Sequence, residues 1–230
     1  MFKRQTSLRI RKAHRFLGLF TGIQFLFWTI SGIYFSWTNI DDIHGNSYKN
    51  KSYEKSSFSN LKSPSELQLK DAVSSIELRT INNEPYYWVN NRQLFNARTG
   101  VYKDGISKKE AISIAEKRMQ PDLIILDASL ITKAGSHHEY RKKLLPAYVV
   151  SFKHHQHLKA YVSVADGKFQ TVRHRSWRWF DFLWMTHTMD YQGRDNFNTL
   201  ILRAFSLLGL LTVLSGFVLW MTTKPLGRKK

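Results

Sequence analysis

The sequence predicts an α+β domain held between two transmembrane helices. Two blocks carry no charged residue, namely the 25 positions of 16–40 and the 20 positions of 204–223, and a helix needs about 20 apolar residues to cross the hydrocarbon core of a bilayer. Between the blocks, apolar residues alternate in short runs that end at turn-forming residues, which is typical of antiparallel strands. The fold class is therefore predicted as α+β, with two flanking spans.

The predicted organisation has seven segments. They are a basic tail (1–15), a first transmembrane helix (16–38), a linker rich in Ser, Lys and Asn (39–65), a domain (66–175), an interfacial aromatic helix (176–196), a second transmembrane helix (197–223) and a second basic tail (224–230). A cleavable signal peptide is the rival interpretation of the first block. It is disfavoured because the block exceeds the usual apolar core of about 7 to 15 residues and has no small-x-small cleavage site.

The net charge of +18 is distributed unevenly along the chain. Ten of the 35 Lys and Arg residues lie before the first block or after the second, whereas all 17 acidic residues lie between them. Uncompensated basic residues mark cytoplasmic segments, which predicts both termini in the cytoplasm, the central domain outside it, and a location in the bacterial inner (cytoplasmic) membrane. A nucleic-acid partner is not expected, because a nucleic-acid binder concentrates its charge on one face of the folded domain. The absence of cysteine excludes disulfides and thiolate metal sites.

The central domain is predicted to repeat one arrangement twice, a helix followed by an antiparallel meander. The first half is predicted as a helix over 65–76 with strands over 76–81, 86–90 and 94–97, and the second as a helix over 107–119 with strands over 123–132, 147–153, 158–165 and 169–172. Ser107 and Glu110 form a Ser-x-x-Glu capping box at the start of the second helix. The predicted core contains Ile112, Ile114, Tyr148, Val150, Val162 and Val164.

An aromatic segment precedes the second charge-free block. From Trp177 to Tyr191 it combines Trp, Phe and Tyr rings with three charges and His187. Tyr and Trp collect where hydrocarbon meets water, because they have an apolar body and a polar tip. We therefore predict a helix at the membrane interface, in contact with membrane lipid.

Five short motifs resemble a known family. The stretches 106–116, 145–152 and 160–168 are similar to the PepSY domain, whose pattern is a helix, a strand with an aromatic residue, and a strand closed by an Asp-Gly turn. His14-Arg-Phe-Leu-Gly in the first block and Ser215-Gly-x-x-Leu-Trp220 in the second resemble the PepSY-associated transmembrane family. The resemblance covers nearly the whole chain.

The resemblance implies a function. Larger transmembrane members of that family include haem b proteins that pass electrons across the membrane through histidine-ligated haem. Carried over, it implies a membrane-anchored haem-b electron-transfer protein acting on an extracytoplasmic acceptor, such as a ferric chelate in iron uptake or a partner redox protein. Whether the chain is an enzyme stays open, and a subunit of a transmembrane reductase is one interpretation. The alternative is a non-redox PepSY module that binds or regulates a peptidase, a peptide or a transporter at the membrane.

Four residues are candidates for the haem sites. His14 is a candidate axial ligand at the inner end of the first span, or an ordinary interfacial residue. His187 is a candidate outer ligand walled by Phe180, Phe182, Leu183, Trp184 and Met185, or the polar side of an interfacial helix. His44 could be the second ligand opposite His187, or a turn residue before Gly45. Arg194 could pair with haem propionates, or with lipid headgroups.

Distance limits these assignments. About 25 helical residues at 1.5 Å each separate His14 from the outer face, roughly 35 to 40 Å, so His14 and His187 cannot ligate one iron. Family members with two haems have more spans than this chain, so a homodimer or a partner membrane subunit is predicted to supply what is missing. Further histidines are interpreted as solvated loop residues rather than metal ligands: His137, His138, His154, His155 and His157.

Overall fold

The computed structural model describes residues 4–69 and 71–223. The predicted basic tail over 224–230 lies outside the described residues. The chain divides into two compact units, a helical unit formed by 1–38 and 180–230 and a central domain formed by 39–179.

Two long helices form most of the helical unit. Helix α1 is Arg4–Trp37 and the last helix, α5, is Leu200–Thr223; at 1.5 Å per residue they measure about 51 and 36 Å, more than the roughly 30 Å of a hydrocarbon core. In their most apolar windows only 17% and 11% of the residues are buried within the protein. A core helix of a soluble protein would be mostly buried, so these helices have the length and exposure of membrane spans.

Helix α1 packs on two neighbours inside the unit. His14 and Thr21 contact α5, whereas Trp28 and Phe35 contact α4 (Arg175–Thr188). These four residues recur every seven positions, a spacing that keeps side chains on one face of a helix, and Thr21 among them is buried while other positions of α1 expose Phe, Leu and Ile side chains. The N-terminal part of α1 therefore packs on α5 and the C-terminal part on α4.

Some glycines of these helices lie at a helix–helix contact and others do not. A Cβ at Gly209 of α5 would lie 2.9 Å from the Phe25 ring, so close approach of α1 and α5 requires glycine there. A Cβ at Gly18 or Gly22 of α1 would meet nothing within 4 Å. The Gly18-x-x-x-Gly22 spacing, which is suited to close helix packing, is therefore not used by packing within this chain.

The central domain contains two four-stranded antiparallel sheets and one packed helix. One sheet has the order β1 to β4 and the other β5 to β8. The strands are β1 Ile76–Ile81, β2 Glu84–Val89, β3 Gln93–Asn96, β4 Tyr102–Lys103, β5 Ile125–Ile131, β6 Ala147–Phe152, β7 Lys159–Ser163 and β8 Phe169–Arg173, and helix α3 is Lys108–Arg118. The predicted α+β class is confirmed, and each of the seven predicted strands is present with ends shifted by at most two residues.

Local sequence signals explain the second half of the domain. The capping box is present: Glu110 N–H donates to Ser107 Oγ, and Ser107 N–H donates to the Glu110 carboxylate. Helix α3 and residues of both sheets share one core. Of the predicted core residues, Ile114, Val150 and Val162 are buried, Ile112 and Tyr148 pack against the core from partly buried positions, and Val164 is half-buried.

The helix predicted over 65–76 is wrong. Among its described residues there is only a 3-10 turn, Pro64–Glu66, followed by irregular chain. The Asn90 side chain accepts from the backbone N–H groups of Ser74 and Ser75 and donates to the Ala72 carbonyl, so backbone groups that a helix would pair internally are paired with a side chain. The helical apolar spacing instead reflects leucines that cover one face of the first sheet, with Leu67 fully buried.

The predicted linker over 39–65 contains ordered contacts with the domain. It includes a short helix α2, Ile40–Ile43, capped by Asn39, and Ile43 is 2% exposed. Lys49 forms a β-bridge with Met119 at the end of α3.

Candidate functional site

His14 is fixed by a serine on the neighbouring helix. His14 Nδ1 lies 2.7 Å from Ser215 Oγ. The serine hydroxyl has one proton, and the Thr212 carbonyl lies 2.7 Å from its oxygen. When that proton points to the carbonyl, the serine oxygen accepts from an N–H at Nδ1, and Nε2 takes no part in the bond.

His187 has the same arrangement beside the C-terminal half of α1. Its Nδ1 lies 2.7 Å from Ser31 Oγ, and the Phe27 carbonyl lies 2.7 Å from that hydroxyl oxygen. When the hydroxyl proton points to this carbonyl, the serine oxygen accepts from Nδ1–H, and Nε2 takes no part in the bond. Ser31 is fully buried, which keeps water from competing for this hydrogen bond.

Apolar surfaces border both imidazoles. The His14 ring lies against Gly216, where an added Cβ would be 3.2 Å from its Cε1. Gly216 also lines an apolar groove of about 390 Å³ with Val213, Phe217 and Trp220. Gly216 therefore both contacts the His14 ring and lines this apolar groove.

The His187 ring is walled by aromatic residues of α1. Ring centroids of Phe35 and Trp28 lie 5.6 and 6.4 Å from it, and Trp28 Nε1 donates to the His187 carbonyl at 2.8 Å. The predicted walls Phe180 and Trp184 contact Phe35, the first tilted and the second edge-on, with centroids at 4.9 and 5.7 Å. The α1 residues were not anticipated as walls, because the sequence does not show which span faces the aromatic helix.

The two histidines belong to separate sites. His187 is bonded to Ser31, which follows His14 by 17 helical residues, or about 25 Å along α1. His187 therefore contacts the C-terminal half of α1, and Gln24 Nε2 donates to the Thr186 carbonyl beside it. No single metal ion can contact both imidazoles.

Arg194 is already paired with a carboxylate of the same unit. Its Nη1 donates to Asp181 Oδ2 on α4, and its Nε is buried without a hydrogen-bond partner among the described residues. Beside it, the Asp190 carboxylate accepts backbone N–H groups of Gly193, Asn196 and two neighbours, which lowers the pKa of Asp190. This turn fixes the connection from α4 to α5, and the pairing of Arg194 with a propionate stays a prediction.

The remaining histidines lie in the central domain. His44 is an exposed C-cap of α2, so the structure places it in the other compact unit from His14, His187 and Arg194. His138 Nδ1 and His154 Nδ1 accept backbone N–H groups in turns. Across 4–69 and 71–223 there is no group of three or more His, Cys, Asp or Glu side chains that could hold a metal ion.

A charged cluster around Glu139 was not predicted from the sequence. The Glu139 carboxylate accepts from Tyr161 OH at 2.5 Å and from Arg178 Nε and Nη2 at 2.7 and 3.2 Å. Burial raises the pKa of Glu139, but the hydrogen bonds from Arg178 and Tyr161 outweigh it and lower the pKa below its ordinary value. Arg173 lies over the Trp177 ring at 4.0 Å and donates to the Glu139 carbonyl. No local pattern marks Glu139, since it lies in an irregular loop.

His174 is a second residue that sequence reasoning missed. It is 2% exposed, and its Nε2–H lies 2.9 and 3.1 Å from the carbonyls of Asp42 and Ile43. Burial lowers the pKa of His174 below its ordinary value, although these two hydrogen bonds act in the opposite direction. No period-two pattern marked this position, because burial does not alternate along β8, where the adjacent Thr171 and Val172 are both buried.

Comparison with known families agrees with this architecture. The family model described as the PepSY-associated TM region matches residues 1–223. The chain belongs to this family. The family match includes both serine-bonded histidines of this PepSY-associated protein and its whole central domain. Neither curated proteins nor solved structures gave a match to the chain.

Proposed function

We propose that this PepSY-associated protein is a membrane-anchored haem-b electron-transfer protein that passes electrons to an extracytoplasmic acceptor, such as a ferric chelate or a partner redox protein. The observation that carries the proposal is the shared arrangement of His14 and His187. Each imidazole has its Nδ1 2.7 Å from a serine hydroxyl, and a bond from Nδ1–H to that serine would leave Nε2 as the nitrogen that can face an iron ion.

These residues fit the requirements of a haem ligand. Haem iron takes neutral imidazole donors, and ligating histidines almost always donate their other ring N–H to an orienting partner. Ser215 and Ser31 supply that partner, one for each histidine. Haem b, when bound, would supply one-electron chemistry; the protein would hold the imidazoles in one orientation and surround them with apolar groups.

Each haem would need a second axial ligand from elsewhere. The sequences of 1–38 and 180–230 contain two histidines, and these are about 25 Å apart along α1. We therefore propose that a second copy of the chain or a partner membrane subunit completes the sites. His44 remains the candidate ligand that this chain itself would contribute opposite His187.

The proposed topology places both termini in the cytoplasm of a bacterial inner membrane and the central domain outside. It is supported by the ten basic residues that lie beyond the two charge-free blocks. A reporter fused after Ser63 should be active only if it requires export. Cytoplasmic activity of that fusion would contradict the topology.

Absorption spectroscopy tests the redox proposal. Protein purified from haem-replete cells should show a Soret band that shifts on dithionite reduction. His187→Ala should remove the outer haem and leave the inner one, and His14→Ala should do the reverse, since the sites are separate. His155→Ala is the matched control, because His155 is an exposed imidazole stacked on His154 in the central domain.

Two results would defeat the proposal. One is a colourless wild type, and the other is a full haem complement in both His14→Ala and His187→Ala. Either result would leave the non-redox module, which binds or regulates a peptidase, peptide or transporter, as the function to test.

A further inference from the structure

A cleft in the central domain runs along an unpaired strand edge. Strand β1 pairs with β2 on one side and has no second neighbour among the described strands. No backbone hydrogen bond joins 76–81 to any segment other than β2 in the part of the chain that the structure describes. Antiparallel strands point half of their N–H and C=O groups to each side, so the outer groups of β1 are available to another strand.

The wall opposite β1 is one face of helix α3. The cleft measures about 490 Å³, and four consecutive β1 residues, 77–80, line it. From α3 it is lined by Ser113, Ile114, Lys117 and Arg118, whose spacing places them on one side of the helix. Four strand residues span about 13 Å, so this edge-strand cleft has the length and the two walls that receive a short extended segment.

The edge-strand cleft is basic. Lys55, Lys117, Arg118 and Lys168 line it, and within the described residues none has a carboxylate oxygen within 4.0 Å. The fifth basic residue, Arg79, is neutralised by Glu77 at 2.6 Å and Asp166 at 3.4 Å. The uncompensated charge therefore surrounds the strand edge rather than the domain as a whole.

Aromatic rings hold one of these cations in place. The Arg118 guanidinium lies 4.3 Å from the centroid of the Tyr53 ring and 5.5 Å from that of Phe169. A guanidinium that lies over an aromatic face keeps its N–H groups available around its own edge. In Arg118 those N–H groups are not bound by a carboxylate of the described residues. Leu78, 45% exposed on β1, adds an apolar contact beside the charges.

We propose that the edge-strand cleft binds an extended acidic peptide segment of a partner protein, which adds as a fifth strand beside β1. Backbone hydrogen bonds to β1 would supply affinity, as in other strand-addition complexes. The four cations would select acidic side chains. The proposal does not depend on haem, and it concerns residues of the central domain only.

Peptide binding to the full-length protein in detergent tests the proposal. The probe is an eight-residue peptide of alternating Glu and Val with an uncharged fluorophore, followed by fluorescence anisotropy. We expect saturable binding that weakens as salt is added, because exposed charge pairs are screened. A Lys-Val peptide of the same length should not bind.

Two further arms separate strand addition from simple charge attraction. The double variant Lys117→Glu with Lys168→Glu should weaken binding at least about five-fold, since it replaces two attractive charge pairs with two repulsive ones. Lys133→Glu, an exposed loop lysine outside the cleft, should leave binding within about two-fold. A Glu-Val peptide N-methylated at alternate residues keeps its charge but cannot pair fully with β1, and should bind at least about five-fold more weakly.

Several results would overturn the proposal. They are absence of saturable binding, equal affinity for the Lys-Val peptide, or no effect of the double variant when its thermal unfolding matches the wild type. Equal affinity of the N-methylated peptide would mean attraction by charge without strand addition. Citrate or inorganic phosphate binding as tightly as the peptide would assign the cleft to small anions. If the double variant does not fold, the three peptides compared on wild-type protein still decide the question.

Discussion

Replacing Glu139 should destabilise the central domain substantially at neutral pH. Its side chain is 13% exposed and pairs with Arg178 and Tyr161. Glu139→Ala leaves the Tyr161 hydroxyl without its acceptor on a residue that is 1% exposed, which costs about 1–3 kcal/mol. Arg178 is about one-third exposed and keeps the His157 carbonyl, so its loss adds at most about 1 kcal/mol. The sum is about 1–4 kcal/mol, or roughly 3 to 15 °C in Tm for a domain of this size.

The pH dependence identifies the charged network as the cause. Because the folded-state pKa of Glu139 is lowered, its carboxylate stabilises the domain above the unfolded pKa of about 4.3 and loses that effect as pH falls through the folded value. Thermal unfolding of the full chain in detergent, followed by tryptophan fluorescence, should show Glu139→Gln less stable than wild type at pH 7 and closer to it at pH 3. Glu116→Gln, an exposed carboxylate on α3, should change little at either pH. An equal difference at both pH values, or none at pH 7, would refute the reasoning.

Three further predictions concern other parts of the molecule. Ser31→Ala should weaken haem retention about 10- to 100-fold and shift the midpoint potential of the outer haem. Ser36→Ala, which removes an exposed hydroxyl bonded to its own helix, should change neither. Equal haem content and potential in the two variants would count against Ser31 as the residue that orients His187. The folded-state pKa of His174 is lowered, so the wild type should lose stability as pH falls below about 6.5. In a series of Tm measurements at different pH, His174→Gln should lose less stability over that range. The same dependence of Tm on pH in both proteins would contradict this prediction. Gly209→Leu should lower Tm in detergent, costing about 1–3 kcal/mol by overpacking against Phe25; a wild-type Tm would contradict the close helix approach.

The two halves of the central domain differ in how far local sequence predicts them. The start of helix α3 is marked by its own sequence. The capping box of Ser107 and Glu110 pairs backbone N–H groups that the first turn of a helix leaves without a partner. The segment over 65–76 has helical leucine spacing but no such box. There the Asn90 side chain, from a turn 14 residues further on, pairs with the backbone and prevents a helix.

The candidate sites show the same division. The two charge-free blocks were visible in the sequence, because a helix that spans a bilayer needs about 20 apolar residues. The histidines near the ends of those blocks could then be named as candidates. The serine partners could not, since Ser215 follows His14 by 201 positions and His187 follows Ser31 by 156. Small hydroxyl residues in spans have many uses, so spacing alone did not select these two.

By itself, the amino-acid sequence determined the two spans, the α+β class, the strand positions and the family of this chain, because period-two burial, capping and hydrocarbon length are set by neighbouring residues. Only the tertiary structure decided which polar groups meet. The serine contacts of His14 and His187, the Glu139 network and the cleft between β1 and α3 each join segments that are far apart in the chain. A hydrogen bond or a cleft wall depends on distances of a few ångströms, and those distances arise only when the helices and sheets pack.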